Sequence, residues 1–342
     1  MLTTADKYKE YSKSAPTPVT VVTGFLGSGK TTLINHILNS DHGFRIGVVV
    51  NDFGSINIDS ELISDVNEGM VSLANGCICC VTRNDLISSV LKLAETENGL
   101  DHIVIESSGI AYPESVVNAL MTPEIRSAIL LDGVITLVDA EQLLLIDDEE
   151  AMKMAKKQIE GANLVVLNKT DLVSEETLRK VHARIANINP SLQIMETSHS
   201  KIPLEILLGI NGNLASRPIN GDALTLDKHR EHKHAHGIEF ETWTFESKEP
   251  LILEALQIFL KHVPKSVYRV KGFIYSAEKP HKRILLQLVG RRATIAVTGN
   301  WEEELKQTRL VFIAKKETIN FKAIEGALNE CIVIEHMGSQ CC

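Results

Sequence analysis

The chain has 342 residues, 44% of them hydrophobic and 23% charged, with a formal net charge of -9. That length supports two domains with a sizeable core. The acidic balance argues against a general nucleic-acid binder, because no excess of base is present to neutralise phosphates, and no stretch approaches the ~18 apolar residues of a membrane helix.

Met1 to Pro18 is polar and charged and lacks the apolar core of a signal peptide. Residues 1–16 read as a mobile tail, and the expected location is the cytoplasm. Of the six cysteines, Cys77, Cys79 and Cys80 sit within four residues and Cys341 and Cys342 are adjacent. Such clusters suit metal or redox chemistry better than a disulfide framework.

The β-branched run Val19, Val21, Val22 reads as a buried strand, and Leu33, Ile34, Ile37 and Leu38 fall on one helix face. Between them lies Gly24-Phe25-Leu26-Gly27-Ser28-Gly29-Lys30-Thr31, with four residues separating the two motif glycines. Strand, glycine-rich loop and helix in that order mark a phosphate-binding loop. Its glycines let successive N–H groups converge on a phosphate chain, and the helix N-terminus adds partial positive charge. Gly24, Gly27, Ser28, Gly29, Lys30, Thr31 and Thr32 are therefore candidate nucleotide-binding residues. Lys30 reaches for the terminal phosphates, and the Thr31 hydroxyl for Mg²⁺.

Ile46 to Val50 predicts a second strand, followed by Asn51-Asp52-Phe53-Gly54. Two readings stand open there: a nucleotide-responsive switch carrying Asp52, or a plain turn. Next comes Gly76-Cys77-Ile78-Cys79-Cys80. Three thiolates suit Zn²⁺, Cu(I) or Co²⁺, with a fourth ligand from water, His or a carboxylate; buried small hydrophobes are the alternative.

A helix is predicted over Asp85–Leu93, then a strand over His102–Ile105 that runs into Glu106-Ser107-Ser108-Gly109. An apolar strand ending in an acid has the form of an Mg²⁺-holding element, with Glu106 as its carboxylate. Gly109 is placed to offer its N–H to the terminal phosphate. Gly133–Asp139 and Leu164–Leu167 are further strands, and the second ends in Asn168-Lys169-Thr170-Asp171. Two readings stand: a polar strand-to-helix loop, or the base-selecting loop of GTP-binding proteins, in which the Asp171 carboxylate is expected to accept from guanine N1–H and its exocyclic amine, Asn168 to support guanine O6 and the Lys169 stem to cover the ring. Leu192–Met195 is the last strand of this half, and Glu196-Thr197-Ser198 lies where a loop closes over the base. Alternating strands and helices predict an α/β fold with a mostly parallel sheet, over residues 17–210.

Residues 211–237 read as a His-rich linker containing His229, His232, His234 and His236. The composition fits weak, exchangeable binding of Zn²⁺, Co²⁺ or Ni²⁺, or a solvated connector. Residues 238–342 read as a smaller α+β domain. Its strands are expected over 238–245, 268–275, 284–289, 293–297 and 308–313, with helices over 251–263 and 321–328. Trp243, Trp301 and Tyr268 read as core residues. Cys341 and Cys342 with His336 offer an extra metal site or a frayed tail.

Taken together, the phosphate loop, Asn51–Gly54, Gly76–Cys80, Glu106–Gly109, Asn168–Asp171 and the His-rich segment make the chain resemble the CobW family of GTPases. That family is grouped with the nickel-enzyme maturation GTPases for urease and hydrogenase. Two positions depart from the family's usual pattern: Asp52 stands where Glu is usual, and Ser107 where Thr is usual. The resemblance implies a slow GTPase whose nucleotide state controls delivery of a transition metal to a client metalloprotein. It implies GTP, Mg²⁺ and Zn²⁺ as cofactors, with Co²⁺ as a second candidate metal. Lys30, Thr31, Asp52 and Glu106 become candidate catalytic residues, the last three also as Mg²⁺ ligands, and Cys77, Cys79 and Cys80 the transition-metal ligands. A monomer or a nucleotide- or metal-dependent homodimer is expected, with neither nucleic acid nor membrane as partner. Alternatives are a metal store with uncoupled hydrolysis, or an activator of a cobalt or iron enzyme such as a nitrile hydratase or a cobalamin-synthesis chelatase. Slow turnover is expected where no Gln or arginine finger completes the site.

Overall fold

The structure is a computed structural model that describes residues 16–40, 42, 44–51, 78–79, 83–96, 99–209, 229–233, 239–301 and 306–333, with backbone alone at 51, 78–79, 229–233 and 239. Of the residues singled out above, Asp52, Cys77, Cys80, His234, His236, His336, Cys341 and Cys342 lie outside the described residues.

In the N-terminal half, seven strands form one sheet in the order β3-β2-β4-β1-β5-β6-β7. They are β1 (Thr17–Gly24), β2 (Ile46–Asn51), β3 (Ile78–Cys79), β4 (His102–Ser107), β5 (Ile129–Asp139), β6 (Leu164–Asn168) and β7 (Gln193–Glu196). Every neighbouring pair is parallel. Parallel strands are buried on both faces and read as continuous apolar runs, and β4 and β6 are buried along their whole lengths. The helices are α1 (Lys30–Asn39), α2 (Arg83–Ala94), α3 (Pro113–Leu120), α4 (Pro123–Arg126), α5 (Glu149–Glu160), α6 (Glu175–Ile188) and α7 (Leu204–Leu208).

Side chains alternate across the sheet, and the alternation sorts the packing. Val22, Val104, Leu164 and Val166 meet α1 and α7 on one face. Val19, Val21, Ile103 and Ile105 meet α2 and α3 on the other, where Val165 and Leu167 meet α5 and α6. Local chemistry starts the outer helices. Asp148 caps α5 by accepting from Ala151 N at 2.7 Å, and Ser174 caps α6 by accepting from Thr177 N at 3.2 Å.

The C-terminal half is a six-stranded antiparallel sheet in the order β12-β11-β10-β13-β9-β8. Its strands are β8 (His229–Lys233), β9 (Glu239–Ser247), β10 (Val267–Ile274), β11 (Lys282–Val289), β12 (Arg292–Asn300) and β13 (Thr308–Lys315), joined by α8 (Leu253–Lys261) and α9 (Phe321–Asn329). One face packs on α8 and α9 around the buried Trp243, whose ring lies against Phe245, Phe312 and Phe321. The sequence assigns His229 and His232 to a linker; the structure instead pairs the backbone of 229–233 with β9, His232 opposite Phe240. A run without apolar alternation gives no strand signal, and here the neighbouring strand imposes the extended form.

The second face of this sheet closes on the first half. Phe240, Tyr268, Val289 and Ile313 share one buried cluster with Leu33, Ile34 and Ile37 of α1. Inside that contact lies a buried charged group. Arg269 on β10 donates through Nη2 to Asp132 Oδ2 on β5, and through Nη1 to the carbonyls of Ile206 and Leu207 at 3.2 Å each. Thr20 Oγ1 donates to Asp132 Oδ2 at 3.3 Å and lies 2.8 Å from His102 Nε2. With the hydroxyl proton used on Asp132, His102 carries its proton on Nε2. Burial pulls the His102 imidazole down to about 3, against the pull of Asp132, so it is neutral near pH 7. Burial, the largest single influence, pushes the Asp132 carboxyl up, but the charge and hydrogen bond of Arg269 together with His102 and Lys271 outweigh it, and the net position is below the usual carboxylate range.

Candidate functional site

The C-terminal ends of β1 and its neighbours β4 and β5 border the point where the strand order reverses, with those of β2 and β6 one strand further out. That is where doubly wound sheets bind ligands. β1 ends in Gly24 and α1 begins at Lys30, so the phosphate loop spans the gap between them. Gly24 and Gly29 have φ of 143° and 103°, a region L-residues avoid. A Cβ at Gly24 would lie 2.3 Å from Leu137 O, and one at Gly29 would lie 2.4 Å from Asn168 Nδ2. The loop is folded into a space that only glycine fits at those two points.

Lys30, 8% exposed, donates through Nζ to Phe25 O at 3.2 Å across its own loop. Thr31 Oγ1 donates to Glu106 Oε1 at 3.1 Å, and Glu106 is 3% exposed. The structure thus brings together the two described residues predicted to hold Mg²⁺. A hydroxyl and a carboxylate in contact beside a helix N-terminus are hard oxygen donors of the kind Mg²⁺ takes, and the cradle fits a phosphate chain. Ser28 is fully buried and Thr32 stands on the exposed side of α1.

Backbone register ties this centre to the cysteine motif. Cys79 on β3 pairs with Val50, Val50 pairs with Glu106, and Glu106 pairs with Val22. Adjacent strands are ~4.8 Å apart, so Cys79 stands about 10 Å across the sheet from Glu106, on the same row. A two-residue strand is too short for periodicity to reveal, so β3 leaves no signal in the sequence.

At the far side of the loop, Lys169 adopts the left-handed conformation at φ 62°, and its Nζ donates to Asp139 Oδ2 at 2.6 Å. Asp139 Oδ1 in turn accepts from the backbone N–H groups of Glu141 and Gln142 at 2.9 and 3.1 Å. The Lys169 side chain is therefore anchored by Asp139, an acid at a strand end that no motif of the sequence points to. Asp171 sits in a one-turn 3₁₀ segment with its side chain 42% exposed, 4.0 Å from His199 Nε2.

Asn168 takes a different role from the one expected. Its Nδ2 donates to Ser28 O and to Ser200 Oγ, both at 2.9 Å, and its Oδ1 accepts from Ser200 N at 2.9 Å. Ser200 Oγ also donates to Gly29 O at 2.9 Å. Both amide protons of Asn168 are used, which leaves none to offer guanine O6. Asn168 is a tie between the phosphate loop and the Thr197–Lys201 loop. Ser200, which completes the tie, was not singled out from the sequence; a second serine two residues past the end of Glu196-Thr197-Ser198 was its only signal. Cys79, His229 and His232 are placed by backbone alone. Among the described residues no group of three His, Cys, Asp or Glu side chains is gathered to hold a metal, and no helix is long and apolar enough to cross a membrane.

A glycine cradle on a helix N-terminus, a Thr–Glu pair beside it and an Asn-Lys-Thr-Asp loop at the end of β6, two strands from β1, define a P-loop nucleotide-binding protein of the guanine type. Residues 18–196 match the family described as CobW/HypB/UreG, nucleotide-binding domain, and residues 240–332 match the cobalamin synthesis protein cobW C-terminal domain. The chain belongs to the CobW family of P-loop GTPases. Among its relatives, Zinc chaperone CobW of Pseudomonas aeruginosa is 35% identical over 340 residues, covering 88% of each chain. Zinc chaperone YjiA of Escherichia coli is 32% identical over 311 residues, 87% of this chain and 94% of the relative. Zinc-regulated GTPase metalloprotein activator 1 of Dictyostelium discoideum is 32% identical over 384 residues, 93% of this chain and 80% of the relative.

Proposed function

We propose that this protein is a GTP-hydrolysing metallochaperone that binds Zn²⁺ at Cys77, Cys79 and Cys80 and passes it to a client metalloprotein under nucleotide control. One observation carries the reading. Cys79 shares a register row with Glu106, with only β2 between them, and Glu106 touches Thr31 of the phosphate loop. A change at the terminal phosphate then reaches the cysteine motif through adjacent backbone rather than across the molecule. The relatives named as zinc chaperones favour Zn²⁺ over Co²⁺, since thiolates take either ion.

In this reading the N–H groups of the Gly24–Thr31 loop and the Lys30 ammonium bind the phosphates. Asp171 selects guanine, and the Lys169 stem, oriented by Asp139, covers the ring. Thr31 and Glu106 would hold Mg²⁺, which supplies positive charge to the phosphate oxygens when bound. Lys30 stabilises charge on the leaving phosphate oxygens as the terminal phosphoryl group departs. Turnover is slow, and a partner surface completes the water-activating groups.

The test is Zn²⁺ affinity by competition with a chromophoric chelator, with a non-hydrolysable GTP analogue, with GDP and without nucleotide, all with Mg²⁺. A difference of about tenfold or more between nucleotide states, which is ~1.4 kcal/mol of coupling, is the expected result. Equal affinity in all states, or unchanged affinity in the C77A/C79A/C80A variant, would overturn the proposal.

A further inference from the structure

The turn that follows Glu106 is gripped from behind by a residue outside every motif. Gln158 on α5 is 1% exposed, and its Nε2 donates to Gly109 O at 3.0 Å and to Ala111 O at 3.2 Å. Its own backbone carbonyl accepts from Thr136 Oγ1 of β5 at 2.9 Å, which fixes this part of α5 to the sheet. The turn closes on itself through Ala111 N donating to Ser108 O at 3.0 Å. On the opposite side the Gly109 α-carbon is pressed against the phosphate loop: a Cβ there would lie 2.6 Å from Leu26 Cδ2 and 3.0 Å from Leu26 N. Gly109 is thus clamped between the phosphate loop and one buried amide.

We propose that Gln158 is the positioning residue for phosphate sensing: it sets the Gly109 turn so that its backbone meets the third phosphate of GTP. This rests on the GTPase reading above. A primary amide spends both protons on two carbonyls two residues apart, and that geometry fixes the plane of the turn as well as its position. With the donors removed, Gly109 O and Ala111 O are left buried without their partner, and the turn moves to recover bonds elsewhere. GDP has no third phosphate, so its binding does not depend on where this turn lies. The role is discrimination between the two nucleotides.

The experiment compares affinities for GDP and a non-hydrolysable GTP analogue in wild type and in Gln158→Met, which keeps length and volume but cannot donate. The expected result is a loss of about tenfold or more for the analogue with GDP affinity held within about twofold, one missing set of contacts in one ligand state only. Steady-state hydrolysis then shows KM raised with kcat reduced. A folded Gln158→Met with an unchanged ratio of the two affinities would overturn the proposal, as would a parallel loss for both nucleotides, the mark of a merely structural role. Gln158→Ala, read the same way, decides the matter if the methionine variant does not fold. Failure of wild type to bind either nucleotide would instead sink the GTPase reading, and the wild-type arm shows that separately.

Discussion

Thr31 and Glu106 are in direct contact, the hydroxyl of the first donating to Oε1 of the second at 3.1 Å, although they lie 75 residues apart on α1 and β4. Glu106 is buried, so its charge acts in a medium that screens it poorly. Glu106→Gln keeps the size and an acceptor oxygen and removes the charge. GTP hydrolysis is expected to fall by about 100-fold or more, and Mg²⁺ should no longer strengthen GDP binding. Phosphate release and a fluorescent-GDP titration with and without Mg²⁺ measure both.

The base loop makes two separable predictions. Asp171→Asn replaces an acceptor by an amide whose N–H₂ matches the C2 carbonyl of xanthine rather than the amine of guanine. GTP affinity should drop by at least about tenfold and affinity for the xanthine nucleotide should rise. Asn168→Ala acts differently, because Asn168 ties Ser28 to Ser200. It should cost about 2–4 kcal/mol of stability through the buried groups left unpaired and weaken all nucleotides alike. Thermal unfolding alongside a guanine–xanthine competition distinguishes the two variants.

How much of this was visible beforehand follows from the kind of signal each residue leaves. The phosphate loop and Glu106 lie at strand ends, and Asp171 three residues past another, within fixed spacings, so their places in the fold are legible. Asp139, Gln158 and Ser200 act by reaching across the fold to Lys169, Gly109 and Asn168. A tertiary contact of that kind leaves no local periodicity. The parallel sheet was legible from its continuous apolar runs, whereas β3 and β8 are strands only because a neighbour pairs with them.

The Arg269–Asp132 pair predicts a large asymmetry between single and double substitution. Arg269→Met leaves a buried carboxylate without its guanidinium and should cost about 3–5 kcal/mol. The double variant Arg269→Met/Asp132→Leu removes both charges and should recover most of that loss. Urea unfolding of the three proteins measures the difference; equal destabilisation by the single and double changes would contradict a paired role.

His102 makes stability depend on pH. Its folded value of about 3 lies below the unfolded 6.5, so between those two values the unfolded chain holds a proton that the folded one does not. Stability should therefore be complete above pH 6.5 and fall as pH drops through this window, by up to about 1.4 kcal/mol per pH unit from this one group. Asp132, depressed in the fold, begins to add to the loss only at more acid pH. His102→Gln keeps a donor for Thr20 and cannot titrate, so its unfolding free energy should be flatter between pH 6 and 4 by about that slope.

The contact between Asp132 and Arg269 spans 137 residues of chain. During synthesis at ~5–20 residues per second, the carboxylate precedes its guanidinium by roughly 7–30 s. Through most of that interval Asp132 and the apolar face that later meets Phe240, Tyr268 and Ile313 are without their cover, while β6 and β7 are still being added to the sheet. Apolar surface left open in this way is prone to association between chains until the second half is made. The two halves are drawn as separate domains, yet the first reaches its finished interior only when the second arrives.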